Sequence, residues 1–115
     1  MKRKLTIAVF LIFILTIGPA SWGLDAIVEK KTFALDEFTL VSGKKISGVK
    51  VGYETYGTLA PSKDNAILIC HYYSGNSHAA GKYAATDKAP GYWDKIIGPG
   101  LPFDTNTYFI VSSDT

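Results

Sequence analysis

The sequence predicts an α/β fold in which an antiparallel hairpin is followed by buried strands that run parallel. Three observations support this class: residues 46–56 alternate between two faces, residues 66–70 and 108–112 are short apolar runs, and a long glycine- and proline-containing segment joins those runs. Interior parallel strands need helices on both faces, and few helical segments are predicted. We therefore expect the fold to be incomplete within these residues.

Composition excludes several classes of protein. The chain has 115 residues, of which 47% are hydrophobic and 19% charged, with a formal net charge of +2. These values are not those of a disordered polymer or a polybasic tail. The basic excess comes from Lys2, Arg3 and Lys4, which precede an apolar run. We therefore expect no nucleic-acid partner.

Residues 1–23 are predicted to be a signal peptide. A cationic start is followed by an apolar run over residues 5–17 and by a breaker segment with Gly18 and Pro19. As a helix that run would span roughly 20 Å, against about 30 Å of bilayer hydrocarbon. The chain is thus expected to be exported to the periplasm or the extracellular space, with no stable membrane partner beyond this segment. An uncleaved membrane anchor is the alternative.

The first strands form the hairpin. Residues 32–40 are rich in β-forming residues, a polar turn with glycine follows, and residues 46–56 continue as a half-buried strand. Within that strand Glu54 is expected to pair with Lys50 or to cap a loop. A loop dense in turn residues covers 57–65.

The two apolar runs are predicted to be parallel strands covered on both faces. Cys70 ends the first run and is the only cysteine, so it is predicted to be a packed thiol without an internal disulfide. Helix is expected within 77–85, with a second helical turn at 93–97. Tyr92 and Trp93 are expected to pack in the core or under a lid.

Several polar side chains invite a catalytic or metal-binding interpretation that the spacing does not support. His71 is predicted to be a strand-end residue bonded to loop backbone rather than a catalytic base. His78 and Ser77 are adjacent, which is not the geometry of a triad. The two histidines with Asp87 and Asp94 lack metal-ligand spacing, so neither a metal nor a cofactor is predicted.

A series of blocks along the chain points to a known family. The blocks are YETYGTL at 53–59, NAILICH at 65–71, SGNSHAAG at 74–81, PGYWD at 90–94, IGPG at 97–100, and DT at 104–105 ahead of YFIVSS at 108–113. In order and spacing they resemble the N-terminal part of the homoserine O-acetyltransferase family, which has the α/β-hydrolase fold. The resemblance covers about residues 38–114, and six blocks in register are more specific than any one of them.

The resemblance implies acyl transfer through an activated serine, with small-molecule partners: an acyl-CoA donor and a hydroxyl acceptor. It also implies an oxyanion loop after the third strand, made of His71, Tyr72, Tyr73, Ser74 and Gly75, in which the Tyr73 N–H is the donor. The family commonly has small or aliphatic residues at positions 72 and 73. Two tyrosines there are expected to narrow the acyl pocket or to change the groups that line it.

The catalytic residues themselves are not among these residues. No G-x-S-x-G occurs in the sequence, and in the family the nucleophile, the aspartate and the histidine lie farther along. Residues 24–115 are therefore expected to be a partial domain that ends before the nucleophile elbow. Two alternatives to a truncated acyltransferase remain open: an exported serine hydrolase or esterase on the same scaffold, and an inactive small exported remnant.

Overall fold

A computed structural model of the chain describes residues 23–114. It contains six strands: β1 (Lys31–Thr39), β2 (Lys45–Tyr56), β3 (Ala66–Ile69), β4 (Ile97–Gly98), β5 (Phe103–Asp104) and β6 (Phe109–Ser113). β1 and β2 pair antiparallel over nearly their whole length. This pairing confirms the predicted hairpin. The sequence could predict it because the alternation of side chains along β2 is a local property of the strand.

A four-stranded mixed sheet has the order β1-β2-β6-β3. β3 and β6 are parallel, as predicted from their apolar runs, and β6 is antiparallel to β2. The segment between β3 and β6 crosses one face of the sheet and carries the short parallel pair of β4 and β5, which the sequence did not predict. The carboxyl ends of β3 and β6 therefore lie side by side at one edge of the sheet.

The core lies on the face of the sheet under this crossover. Its fully buried apolar residues are Tyr56, Ile69 and Ile110 from the sheet and Ala79, Ala80 and Ile97 from the crossover. Each of them is at most 3% exposed. Small alanines allow the crossover backbone to approach the sheet closely, which brings main-chain N–H groups within reach of strand side chains.

The opposite face of β3 is open in the part of the chain that the structure describes. Leu68 is 64% exposed and Cys70 is also exposed. This open face is the one expected from the shortage of covering helices, whereas the prediction that Cys70 is a packed thiol is wrong for residues 23–114. Apolar composition indicated that the strand is suited to burial, but only neighbouring elements can supply it.

The crossover is irregular, and residues 23–114 contain no α-helix. The predicted helix at 77–85 is wrong: the N–H groups of Ala79 and Ala80 donate to the Tyr56 hydroxyl, and Gly81 adopts a positive φ of 67°. These bonds replace the helical ladder. The predicted turn at 93–97 is present, since the Ile97 N–H donates to the Trp93 carbonyl at 3.2 Å.

The predicted signal peptide at 1–23 lies almost entirely outside the described residues, which begin at Gly23. Within 23–114 the structure has no helix that is long and apolar enough to cross a bilayer.

Candidate functional site

The predicted oxyanion loop forms a tight turn directly after β3. The Gly75 N–H donates to the Tyr72 carbonyl at 2.7 Å, which closes a four-residue β-turn over 72–75. His71 Nδ1 lies 2.6 Å from the same carbonyl and donates to it. This is the backbone contact predicted for His71. Glycine suits this position because a Cβ atom at residue 75 would lie 3.0 Å from the Cβ of His71, closer than ordinary van der Waals contact.

Tyr73 is the second residue of this turn, which we call the oxyanion turn. Its side chain is fully exposed and that of Tyr72 is 59% exposed. No residue within 23–114 accepts a hydrogen bond from the Tyr73 N–H. An N–H group at the carboxyl end of a parallel strand, with no acceptor among residues 23–114, is the type of group that binds an oxyanion.

A polar cluster that the sequence did not predict lies beneath the residues following this turn. Glu54, on β2, is 0% exposed. Its Oε2 accepts from the Tyr56 hydroxyl at 2.9 Å and lies 3.1 Å from His78 Nδ1. Its Oε1 accepts from the Tyr83 hydroxyl at 2.6 Å and from Ser77 Oγ at 3.4 Å. The buried carboxyl group is thus surrounded by donors, as burial of such a group requires.

The expectation that Glu54 pairs with Lys50 or caps a loop is wrong. Glu54 and Tyr56 are two positions apart on β2, so both point to the covered face of the sheet. In the sequence, the signal for a buried polar cluster was a glutamate two positions before a tyrosine, on the inward face of the same strand. Its partners Ser77, His78 and Tyr83 come from the crossover, and their position depends on the tertiary fold.

Tyr56 connects the cluster to the main chain of the crossover. Its hydroxyl accepts from the N–H groups of Ala79 at 3.0 Å and Ala80 at 3.1 Å while donating to Glu54. Burial raises the pKa of Tyr56, and the Glu54 carboxylate raises it further. Partial burial and the same carboxylate raise the pKa of Tyr83. Both phenols therefore keep the proton that they donate to Glu54.

Asp114, at the end of β6, fixes the same segment from another side. Its Oδ1 accepts from the Ser77 N–H at 2.7 Å, and its Oδ2 pairs with Lys30 Nζ at 2.7 Å. Burial raises the pKa of Asp114, but the bonds with Lys30 and with Ser77 outweigh burial and leave the pKa below its usual value. A carboxyl group whose pKa is lowered in the folded protein stabilises the fold when it is charged.

This shift predicts how Asp114 contributes to stability at different pH values. Because its folded pKa is depressed, the contribution is present above the ordinary pKa of 3.8 and is lost as pH falls below it. We expect the free energy of unfolding of wild type to exceed that of Asp114→Asn by about 0.5–1 kcal/mol at neutral pH. The difference should be smaller at high salt, since the ion pair is partly exposed. Urea unfolding of both proteins at pH 7 and pH 3 tests this. A gap between them that is the same at both pH values would contradict it.

A row of aromatic rings runs from the oxyanion turn across the PGYWD block. Tyr72 and Tyr92 meet edge to face at 5.4 Å between ring centroids, Tyr92 meets Trp93 at 5.8 Å, and Trp93 stacks on Phe103 at 6.1 Å. Tyr92 packs against the core, whereas Trp93 is 38% exposed. The row gives the turn an apolar neighbour on one side.

The described part of the chain contains no cluster of side chains suited to bind a metal ion. Among residues 23–114 no three histidine, cysteine, aspartate or glutamate side chains gather as metal ligands. The Asp94 carboxylate instead accepts from the Gly81 N–H at 2.8 Å, and the Asp87 carboxylate accepts from the Tyr83 N–H at 2.9 Å. Both aspartates stabilise bends of the crossover.

Comparison with known proteins shows which proteins are similar to this chain in sequence. No protein-family model matches the chain. A homoserine O-acetyltransferase of Leptospira biflexa is 52% identical over 92 residues, which are 80% of this chain and 24% of that protein. This chain is a homologue of the homoserine O-acetyltransferases. It spans about a quarter of the length of the curated relatives that it matches.

Solved structures of the family and of an esterase share the fold. The crystal structure of homoserine O-acetyltransferase from Bacillus anthracis matches with a TM-score of 0.72 and 54% identity, over 77% of this chain and 24% of that one. Esterase E22 matches with a TM-score of 0.74 and 57% identity over the same shares. The predicted fold class is confirmed: the described residues correspond to the N-terminal part of an α/β-hydrolase fold.

Proposed function

We propose that the protein carrying this segment is an acyltransferase that moves an acyl group from acyl-CoA to the hydroxyl of a small amino-acid acceptor. The oxyanion turn, residues 72–75, lies within the predicted loop His71–Gly75 and supplies one oxyanion donor, the Tyr73 N–H. The observation that carries this proposal is the available Tyr73 N–H at the end of β3, in a chain 52% identical to a homoserine O-acetyltransferase. The turn is the part of the catalytic apparatus that these residues contain.

The chemistry proceeds in two balanced steps. A serine Oγ attacks the thioester carbonyl while a histidine takes its proton, and CoA leaves as the thiol after receiving that proton. The acceptor hydroxyl then attacks the acyl-serine, its proton passes through the histidine to the serine, and the ester is released. In both steps the carbonyl oxygen becomes negative, and a fixed N–H donor such as that of Tyr73 stabilises it.

The serine in this scheme belongs to polypeptide outside these 115 residues, which contain no G-x-S-x-G. We propose in addition that residues 1–23 direct export. That location would favour a second function, hydrolysis of esters by the same scaffold, because acyl-CoA is an intracellular donor. The similarity to esterase E22 is the specific observation that supports this second candidate.

One pair of assays on the complete protein separates the two functions. We expect CoA thiol release from acetyl-CoA that depends on added L-homoserine, with the same mixture lacking homoserine as the control. Rapid hydrolysis of p-nitrophenyl acetate with no homoserine-dependent thiol release would replace the transferase proposal by the hydrolase. Activity in neither assay would overturn both and support the inactive remnant.

A further inference from the structure

The oxyanion turn is exposed at its tip and flanked by buried residues, and its Tyr72 ring meets Tyr92 edge to face. Tyr72 and Tyr73 are exposed, whereas Ser77, Ala79 and Ala80, which follow the turn, are all 0% exposed. On its other side the turn continues from Ile69 of β3, which is 3% exposed. The position of the turn therefore depends in part on the two buried segments at its ends, of which 77–80 has no regular secondary structure.

Two side chains of β2 fix that irregular segment. The Tyr56 hydroxyl accepts from two successive main-chain N–H groups, those of Ala79 and Ala80. Glu54 contacts the two residues just before them through Ser77 Oγ and His78 Nδ1. Four consecutive residues after the turn are thus bonded to one pair of strand side chains.

The pair works as a unit because each member orients the other. The single proton of the Tyr56 hydroxyl points to Glu54 Oε2 at 2.9 Å, which leaves its oxygen lone pairs facing the two N–H groups. Glu54 can only accept, so its donors must stay in place as long as it is buried and charged. Small displacements of the segment would leave buried polar groups unpaired, which is costly.

We propose that Glu54 and Tyr56 are positioning residues for the oxyanion turn, acting by bonding the segment 77–80 to strand β2. This inference rests on the proposed function of the turn. Neither side chain touches the reacting atoms in this scheme. Their effect is on where the Tyr73 N–H lies relative to the developing negative charge, to which oxyanion stabilisation is sensitive.

The test compares Tyr56→Phe with Tyr53→Phe in the complete protein. Tyr53 is on the same strand but faces the other side of the sheet, where it pairs with Ser113. Both variants lose one phenol oxygen. We expect Tyr56→Phe to lower kcat for p-nitrophenyl acetate about 10- to 100-fold with little change in KM, and Tyr53→Phe to leave both near wild type. Equal kcat in the two variants, whatever their melting temperatures, would overturn the proposal.

Hydrogen–deuterium exchange separates this inference from the proposed function. If wild type turns over neither ester nor acyl-CoA, the proposed function fails, but exchange of the Gly75 amide, which is bonded to the Tyr72 carbonyl, still reports on positioning. We expect faster exchange there in Tyr56→Phe than in Tyr53→Phe. Unchanged exchange overturns the role of Tyr56 independently of any activity.

A second variant keeps the test open if Tyr56→Phe does not fold. Glu54→Gln preserves side-chain shape but replaces one acceptor oxygen with a donor, which faces either Tyr56 and His78 or, with the amide turned over, Tyr83 and Ser77. The expected result is again a lower kcat with KM retained. A folded Glu54→Gln protein with the kcat of wild type would contradict the inference.

Discussion

Replacing Tyr73 by proline is expected to lower kcat of the complete protein by about 10²- to 10³-fold, the usual cost of losing one oxyanion donor. Proline has no N–H, so the substitution deletes the proposed donor while the carbonyl group of residue 73 stays in place. No residue within 23–114 accepts a bond from that N–H in the fold. Loss of this N–H should therefore lower kcat far more than it lowers the stability of the fold.

The turn tolerates this substitution for geometric reasons. Tyr73 is the second residue of the β-turn closed by the Gly75 N–H and the Tyr72 carbonyl, the position at which proline is favoured in common turns. Tyr73 does not adopt a positive φ, and its side chain is fully exposed. Proline should thus keep the turn while removing the donor.

Tyr73→Ala is the matched control, because it removes the ring and keeps the N–H. We expect its kcat with p-nitrophenyl acetate to stay much closer to wild type than that of Tyr73→Pro. Circular dichroism confirms that both variants are folded. Similar kcat values in the proline and alanine variants would show that the Tyr73 N–H does not bind the oxyanion.

Gly57→Ala is expected to destabilise the fold by roughly 2–5 kcal/mol, the combined cost of left-handed backbone for alanine and of overpacking. Gly57 follows β2 with a φ of 82°. A Cβ atom there would lie 2.2 Å from the Tyr108 carbonyl oxygen and 2.8 Å from that of Thr105. These are backbone atoms of the segment that leads into β6, so the clash is relieved only by moving that segment.

Gly43→Ala separates the two contributions. Gly43 has nearly the same φ, 79°, but a Cβ atom there would meet nothing within 4 Å. We expect it to cost only about 1–2 kcal/mol, the conformational part alone. Urea unfolding of the complete protein measures both variants against wild type. Equal losses of stability would mean that the close approach of the segment leading into β6 does not restrict Gly57.

Local patterns in the sequence determined β1, β2, β3 and β6, but not the short pair β4 and β5. Alternation along 46–56 and the apolar runs at 66–70 and 108–112 predicted the hairpin and the parallel pair, because strand periodicity depends on neighbouring residues only. The turn at 71–75 was located by family resemblance, and its glycine fits the close approach to His71. The same resemblance indicated the α/β-hydrolase fold that solved structures confirm.

Only the tertiary structure decided the environment of Glu54, the conformation of 77–85 and the exposure of Cys70. Glu54 and Tyr83 are 29 positions apart in sequence, yet their side chains share a hydrogen bond. The helix predicted from composition gave way to bonds from Ala79 and Ala80 to Tyr56, a residue on another element. Each outcome depends on which distant segments meet, and a pattern of nearest neighbours contains no information about that.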